Sequence, residues 1–175
     1  MDYLSFDLRL GDWDSKSGQG VAEVLQSPAG EGPRYPFKLD VNIERISRSS
    51  QFSTVDAANL GRRLSMEIFA QQSQTLWYES YQIARERGRG LRLRLHIDSW
   101  ELSRLPWEFL HDARRGDFLV FDPLVSVVRY LRLYASPPAL RQGQRLKLLA
   151  VAASPEDQAQ LDWRKEFSVL NEALN

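Results

Sequence analysis

The residues able to do chemistry are few. The chain holds two histidines, His96 and His111, and no cysteine among its 175 residues. A thiolate nucleophile is therefore excluded by composition, as are disulfides and thiolate metal sites, and two histidines are little material for zinc or haem. His96 lies on the polar phase of an alternating run and reads as the solvent face of a strand, while His111 reads as a loop residue; nothing beside either supplies an oriented nucleophile. The carboxylate pairs Asp12 with Asp14 and Glu156 with Asp157 fall in expected loops, with no apolar wall to raise a pKa for general acid–base work. Asp12-Trp13-Asp14-Ser15-Lys16 opens like a calcium loop, but Lys16 stands where an oxygen ligand belongs and no glutamate closes the site, so a plain turn is expected. Gly88-Arg89-Gly90 is a turn and not a phosphate cradle, because no helix begins after it. No catalytic, cofactor-binding or metal-ligating residue is assigned, and no cofactor is expected.

Charge narrows the partners. With 23 basic and 23 acidic residues the net charge is zero, which removes long-range attraction to nucleic acid or to anionic membrane. The densest basic run, Arg85, Arg87, Arg89, Arg92 and Arg94, could be a phosphate-contacting stripe. Two ordinary roles account for it better. Arg85 and Arg87 close a helix where cations complement the dipole, and Arg92 and Arg94 take the wet face of a strand, with no aromatic residues interleaved for base stacking. The first residues show no basic and apolar leader, and no apolar run approaches the roughly 20 residues that span a bilayer. A cytoplasmic protein without a membrane partner is expected.

The elements follow from hydrophobic period. Leu91, Leu93, Leu95 and Ile97 alternate with Arg92, Arg94, His96 and Asp98, which predicts a strand of the antiparallel type with one wet face. Residues 3–10 alternate in the same way and predict a first strand, followed by a loop at 11–20. Strands at 20–26 and 35–39, joined by a Pro- and Gly-rich turn, complete a small antiparallel meander. From Val55 the spacing becomes helical through Leu60, Leu64 and Ile68, with Ser53, Thr54 and Asp56 as capping residues. Gln71-Gln72-Ser73 breaks the pattern, a second helix runs to about Arg87, and Gly88 stops it. An extra helical turn is expected at 40–48. Glu101 to Leu110 allows only two short turns around Pro106, and strands are predicted at 118–121 and 125–131. Pro137, Pro138 and Gly143 mark a linker over 134–144. The apolar run 146–153 has the pattern of a strand buried on both faces, and 162–174 is amphipathic through Trp163, Phe167, Leu170 and Leu174.

Leu91-Arg92-Leu93-Arg94-Leu95, Leu105-Pro106-Trp107-Glu108-Phe109-Leu110, Phe118-Leu119 and Val128-Arg129-Tyr130-Leu131 together resemble the front half of the bacterial CHAT domain, a caspase-like cysteine peptidase family. The Leu-Pro-Trp-Glu core carries most of the likeness. Weaker matches at 3–8, 27–31 and 146–155 extend it over nearly the whole chain. One departure is His111, where the family more often has an aromatic residue before an acidic one. The resemblance implies an α+β architecture: an antiparallel β-rich front module with a helical segment at 1–133, a linker at 134–144, and the first βα unit of a caspase-like sheet at 145–175. The family's catalytic His and Cys follow later strands, beyond the matching span, so the resemblance carries over no catalytic residue. It implies a non-catalytic front portion whose partner is the catalytic part of the same protein or another chain. A self-sufficient interaction module or homo-oligomer is the alternative, with nucleic-acid binding a distant third. Trp107 is expected as a core anchor, and Glu108 as the partner of a nearby arginine.

Overall fold

The alternation at 3–10 belongs to a strand longer than its period suggests. In the computed structural model, which describes residues 2–39, 53–70, 72–130, 151 and 162–174, β1 spans Tyr3–Asp14. The expected loop at 11–20 shrinks to a turn at 15–18. The strand continues because its register shifts between Gly11 and Asp14 and Asp12 takes φ of 50°, a left-handed conformation that aspartate tolerates at a bulge. Past the bulge Trp13 stacks on Phe37, with ring centroids 5.9 Å apart. Asp14 then closes the turn, accepting from the Ser17 hydroxyl at 2.7 Å and the Lys16 amide at 3.0 Å. Those bonds, the Ser17 one first, hold its carboxyl below the usual range.

β2 (Gln19–Gln26) and β3 (Arg34–Lys38) add to β1 as an antiparallel meander. β4 (Gly90–Ile97) and β7 (Val125–Tyr130) complete a five-stranded mixed sheet of order β3-β2-β1-β4-β7. Here one expectation fails: β4 pairs parallel with both β1 and β7. A period of two reports that one face is wetter than the other and carries no information about strand direction. The crossover between β1 and β4 is made by α1 (Thr54–Ile68) and α2 (Gln72–Glu86). Ser53 and Asp56 form a reciprocal capping box at the start of α1. Gly88, at φ +63°, ends α2, where its amide bonds to Arg85 O and the Arg89 amide reaches back to Ala84 O.

The parallel register places Leu4, Phe6, Leu8 and Leu10 opposite Leu91, Leu93, Leu95 and Ile97. That face meets the helices: Trp77 of α2 is edge-on to Phe6 at 5.2 Å, and Phe69 lies 5.2 Å from Trp77. Leu60, Leu64 and Ile68 fill the same core. The fold is thus α+β. After β4 come α3 (Trp100–Ser103), a 3-10 turn at Trp107–Phe109, the hairpin of β5 (His111–Asp112) and β6 (Asp117–Phe118), and a second 3-10 turn at Leu119–Phe121. The strand expected at 118–121 is therefore mostly a 3-10 turn, closed by the Asp122 amide bonding to Leu119 O.

The chain divides into the units Met1–Tyr134 and Ala135–Asn175. In the second, α4 (Trp163–Leu174) forms as its amphipathic spacing predicts, with Trp163, Val169 and Leu170 exposed and Phe167 half-buried. The helical turn expected at 40–48, the linker at 134–144 and nearly all of the run at 146–153 lie outside the described residues. Val151, the one described residue of that run, is 83% exposed and in no strand, so the burial expected of it is not seen.

Tyr35 ties β3 to the end of α1 by donating its hydroxyl to Ile68 O at 2.5 Å. Burial pushes its pKa up to about 12, against a small opposing effect of the Ser73 hydroxyl. A folded pKa above the unfolded one of about 10 means that the folded state holds this proton more tightly. Stability from this group is then complete below about pH 10 and falls as pH rises toward 12, by on the order of 2 kcal/mol. Urea unfolding at stepped alkaline pH should show this decline, and Tyr35→Phe should flatten part of it.

Candidate functional site

The face of the sheet turned away from the helices carries the charged residues. Ser5, Asp7 and Arg9 of β1 lie opposite Arg92, Arg94 and His96 of β4, which in turn lie opposite Ser126, Val128 and Tyr130 of β7. Asp7 is only 4% exposed, and such a carboxylate needs partners in place of water. One of its oxygens accepts from Arg94 Nη2 at 2.5 Å, and the other lies 2.8 Å from His96 Nε2. Tyr130 covers the pair, with its ring 4.7 Å from the imidazole and 5.0 Å from the Arg94 guanidinium carbon. The bond to Asp7 raises the Arg94 pKa, outweighing the desolvation that would lower it. Arg92 lies instead over the Tyr3 ring, at 4.7 Å. Beside this cluster Arg9 bonds to Asp98 at 2.7 Å and reaches Glu23 at 3.5 Å, tying β2, β1 and the end of β4 together. Its pKa is raised, first by the Asp98 hydrogen bond.

A carboxylate holding an imidazole is the orienting half of a nucleophilic site. Among the described residues, no Ser, Thr or Tyr hydroxyl hydrogen-bonds to His96. Neither histidine sits where its sequence suggests. His96, expected on the solvent face, has a side chain only 12% exposed because Asp7 and Tyr130 enclose it. His111, expected in a loop, begins β5 and is 7% exposed, its amide donating to Ser65 Oγ of α1 at 2.7 Å. Asp12 and Asp14 stand in β1 and not in a loop. Glu156 and Asp157 are outside the described residues. Among the described residues, no group of three or more His, Cys, Asp or Glu is placed to hold a metal ion, and no helix is long and apolar enough to cross a membrane. The arginine run is split: Arg85, Arg87 and Arg89 are exposed around the end of α2, whereas Arg92 and Arg94 are half-buried on the sheet.

The Leu-Pro-Trp-Glu stretch is a clamp. Leu105, Trp107 and Leu110 are almost wholly buried, and the Trp107 indole donates to Leu102 O at 2.8 Å, so its polar atom is satisfied inside the core. Glu108, as expected, meets an arginine: Arg129 of β7 grips both its oxygens at 2.8 and 3.1 Å. The same guanidinium donates to Ser103 O at 2.6 Å and Leu105 O at 3.1 Å, pinning the turn to the last strand of the sheet. Gly61 of α1 lies so close to Phe109 that an added Cβ would overlap its carbonyl oxygen. Helix, turn and edge strand are thereby fastened through six consecutive residues. What the alternation alone does not reveal is the Asp7–Arg94–His96 cluster. The signal is nonetheless there, since placing Leu4 opposite Leu91 in parallel brings the polar phases of the two runs together.

Comparison of the chain with family models, with curated proteins and with solved structures finds no match.

Proposed function

We propose that this chain is the non-catalytic front portion of a CHAT-like, caspase-like cysteine peptidase, a cytoplasmic scaffold on which further protein completes the sheet. The observation that carries the reading is the clamp at Leu105 to Leu110. The stretch with the strongest likeness to that family is spent on structure, with Trp107 in the core and Glu108 holding the edge strand through Arg129. Two features support it. β7 pairs parallel with β4 and, among the described residues, has no strand on its other side, so it can receive another strand. The chain has no cysteine to act as nucleophile, so the thiol of such a peptidase would come from the partner, whether the catalytic part of the same protein or another chain.

The purified chain, incubated with unfolded protein substrates, is expected to release no peptides. Cleavage that survives removal of contaminating proteases would overturn the proposal. A self-sufficient interaction module is the second reading, favoured by the exposure of Trp163, Val169 and Leu170 on α4. Light scattering separates the two in part: a stable dimer of the chain alone supports the module.

A further inference from the structure

Three of the four arginines on β1, β4 and β7 are already paired. Arg9 meets Asp98 and Glu23, Arg94 meets Asp7, and Arg129 meets Glu108. Arg92 is the exception: among the described residues it pairs with no carboxylate, and its Nε is buried without a hydrogen-bond partner. A half-buried guanidinium with its donors unspent carries a desolvation cost that an arriving anion would offset.

The fold holds this side chain in place. The Tyr3 ring fills the space above Gly90, where an added Cβ would come within 2.5 Å of a ring carbon. The Arg92 guanidinium carbon lies 4.7 Å from the centre of that ring, a contact that fixes the cation without consuming its N–H groups. Ser5 of β1 and Ser126 of β7 stand beside Arg92 in register, on the same face, each one strand spacing of about 4.8 Å away. Both serines are half-buried, and neither hydroxyl is bonded to another group among the described residues.

No acid competes for this row. Asp7, one row further along, has one oxygen on Arg94 and the other near His96. Asp2, which precedes Tyr3, is exposed and forms no ion pair among the described residues. A carboxylate would spend both its oxygens on the planar guanidinium fork and leave the serines idle. A phosphate has further oxygens to accept from hydroxyls on either side.

We propose that Arg92, with Ser5 and Ser126, binds a phosphate group, free or as a monoester, on the face of the sheet turned away from the helices. One arginine of the run 85–94 suffices, so no basic stripe is involved. The inference does not rest on the peptidase reading, because it uses only the first unit's own sheet.

Inorganic phosphate, methyl phosphate and acetate are the probes, each titrated into the ¹⁵N-labelled full chain at constant ionic strength. Phosphate is expected to bind saturably, with a Kd on the order of 5 mM, and to shift the Arg92 Nε–H signal and the amides of Ser5, Arg92 and Ser126. Tighter binding of methyl phosphate assigns the site to an ester, and weaker binding to the free ion; either upholds the proposal. Acetate should bind at least about threefold more weakly than phosphate. Arg92→Gln should weaken phosphate about fivefold or more, and Arg85→Gln, at the exposed end of α2, should leave it unchanged. The double change Ser5→Ala with Ser126→Ala, which keeps the arginine, should weaken phosphate about threefold and acetate hardly at all; it decides the matter if Arg92→Gln does not fold. The proposal is overturned if phosphate causes no saturable shifts up to about 50 mM, if acetate binds as tightly, if Arg85→Gln weakens phosphate as much as Arg92→Gln does, or if the serine pair proves irrelevant.

Discussion

Replacing Trp107 with Ala is expected to destabilise the first unit by about 3–5 kcal/mol, the range for removing a fully buried large aromatic side chain. The indole is wholly buried, and its removal would also leave Leu102 O without the 2.8 Å bond it now accepts. The core cannot close the gap cheaply. Leu102, Leu105 and Leu110 are themselves almost wholly buried and fixed by the two 3-10 turns and by Arg129. Far-ultraviolet circular dichroism during heating should record a midpoint lowered by about 10–20 °C. Trp107→Phe, which keeps most of the volume and loses the indole donor, should cost about half as much. A loss below about 1 kcal/mol for Trp107→Ala would remove this residue as the anchor of the clamp.

Gly61→Ala is the second large effect, and its sign runs against local propensity. In an exposed helix interior, Ala in place of Gly stabilises by about 1 kcal/mol. At position 61 the new Cβ would overlap the Phe109 carbonyl oxygen and lie 2.8 Å from its carbonyl carbon, and these are backbone atoms that cannot rotate aside. Helix α1 must then move off the turn, or the turn off Arg129. Overpacking of that kind costs about 1–3 kcal/mol and more when backbone has to shift, so a net destabilisation of about 2 kcal/mol is expected from urea titration. Asn59→Ala, on the exposed side of the same helix, should change stability by less than about 0.5 kcal/mol. If Gly61→Ala stabilised the chain by the amount that propensity predicts, the close approach of α1 to the clamp would be wrong.

Much of this arrangement could be read from local pattern. The alternation at 91–97, the helical spacing from Val55 and the capping residues Ser53 and Asp56 each name their element, because each reports which side of a backbone faces the core. Strand direction left no such mark. The parallel pairing of β4 was hidden because a strand with one wet face looks the same in either direction. The two histidines were misplaced for a related reason. His96 is enclosed by Asp7, 89 positions away, and the His111 amide is held by Ser65, 46 positions away, contacts that only the folded chain brings together. Residues 118–121 have β-favouring side chains, yet the chain turns after Phe118 and the Asp122 amide bonds to Leu119 O in a 3-10 turn, against that preference. The clamp was legible at Trp107 and Glu108 as residue types and illegible as geometry. Neither Arg129 nor Gly61 stands out in the sequence as the residue that closes it.

The central claim is that this sheet offers its β7 edge to further protein. Amide hydrogen exchange along Val125–Tyr130 in the chain alone tests it most directly. In a parallel pair every second amide of β7 points at β4 and the others point outward. The account predicts two classes, with the outward amides exchanging about a hundredfold faster than those bonded to β4. Uniform protection along the whole strand would mean that the edge is already occupied within this chain, and would contradict the account.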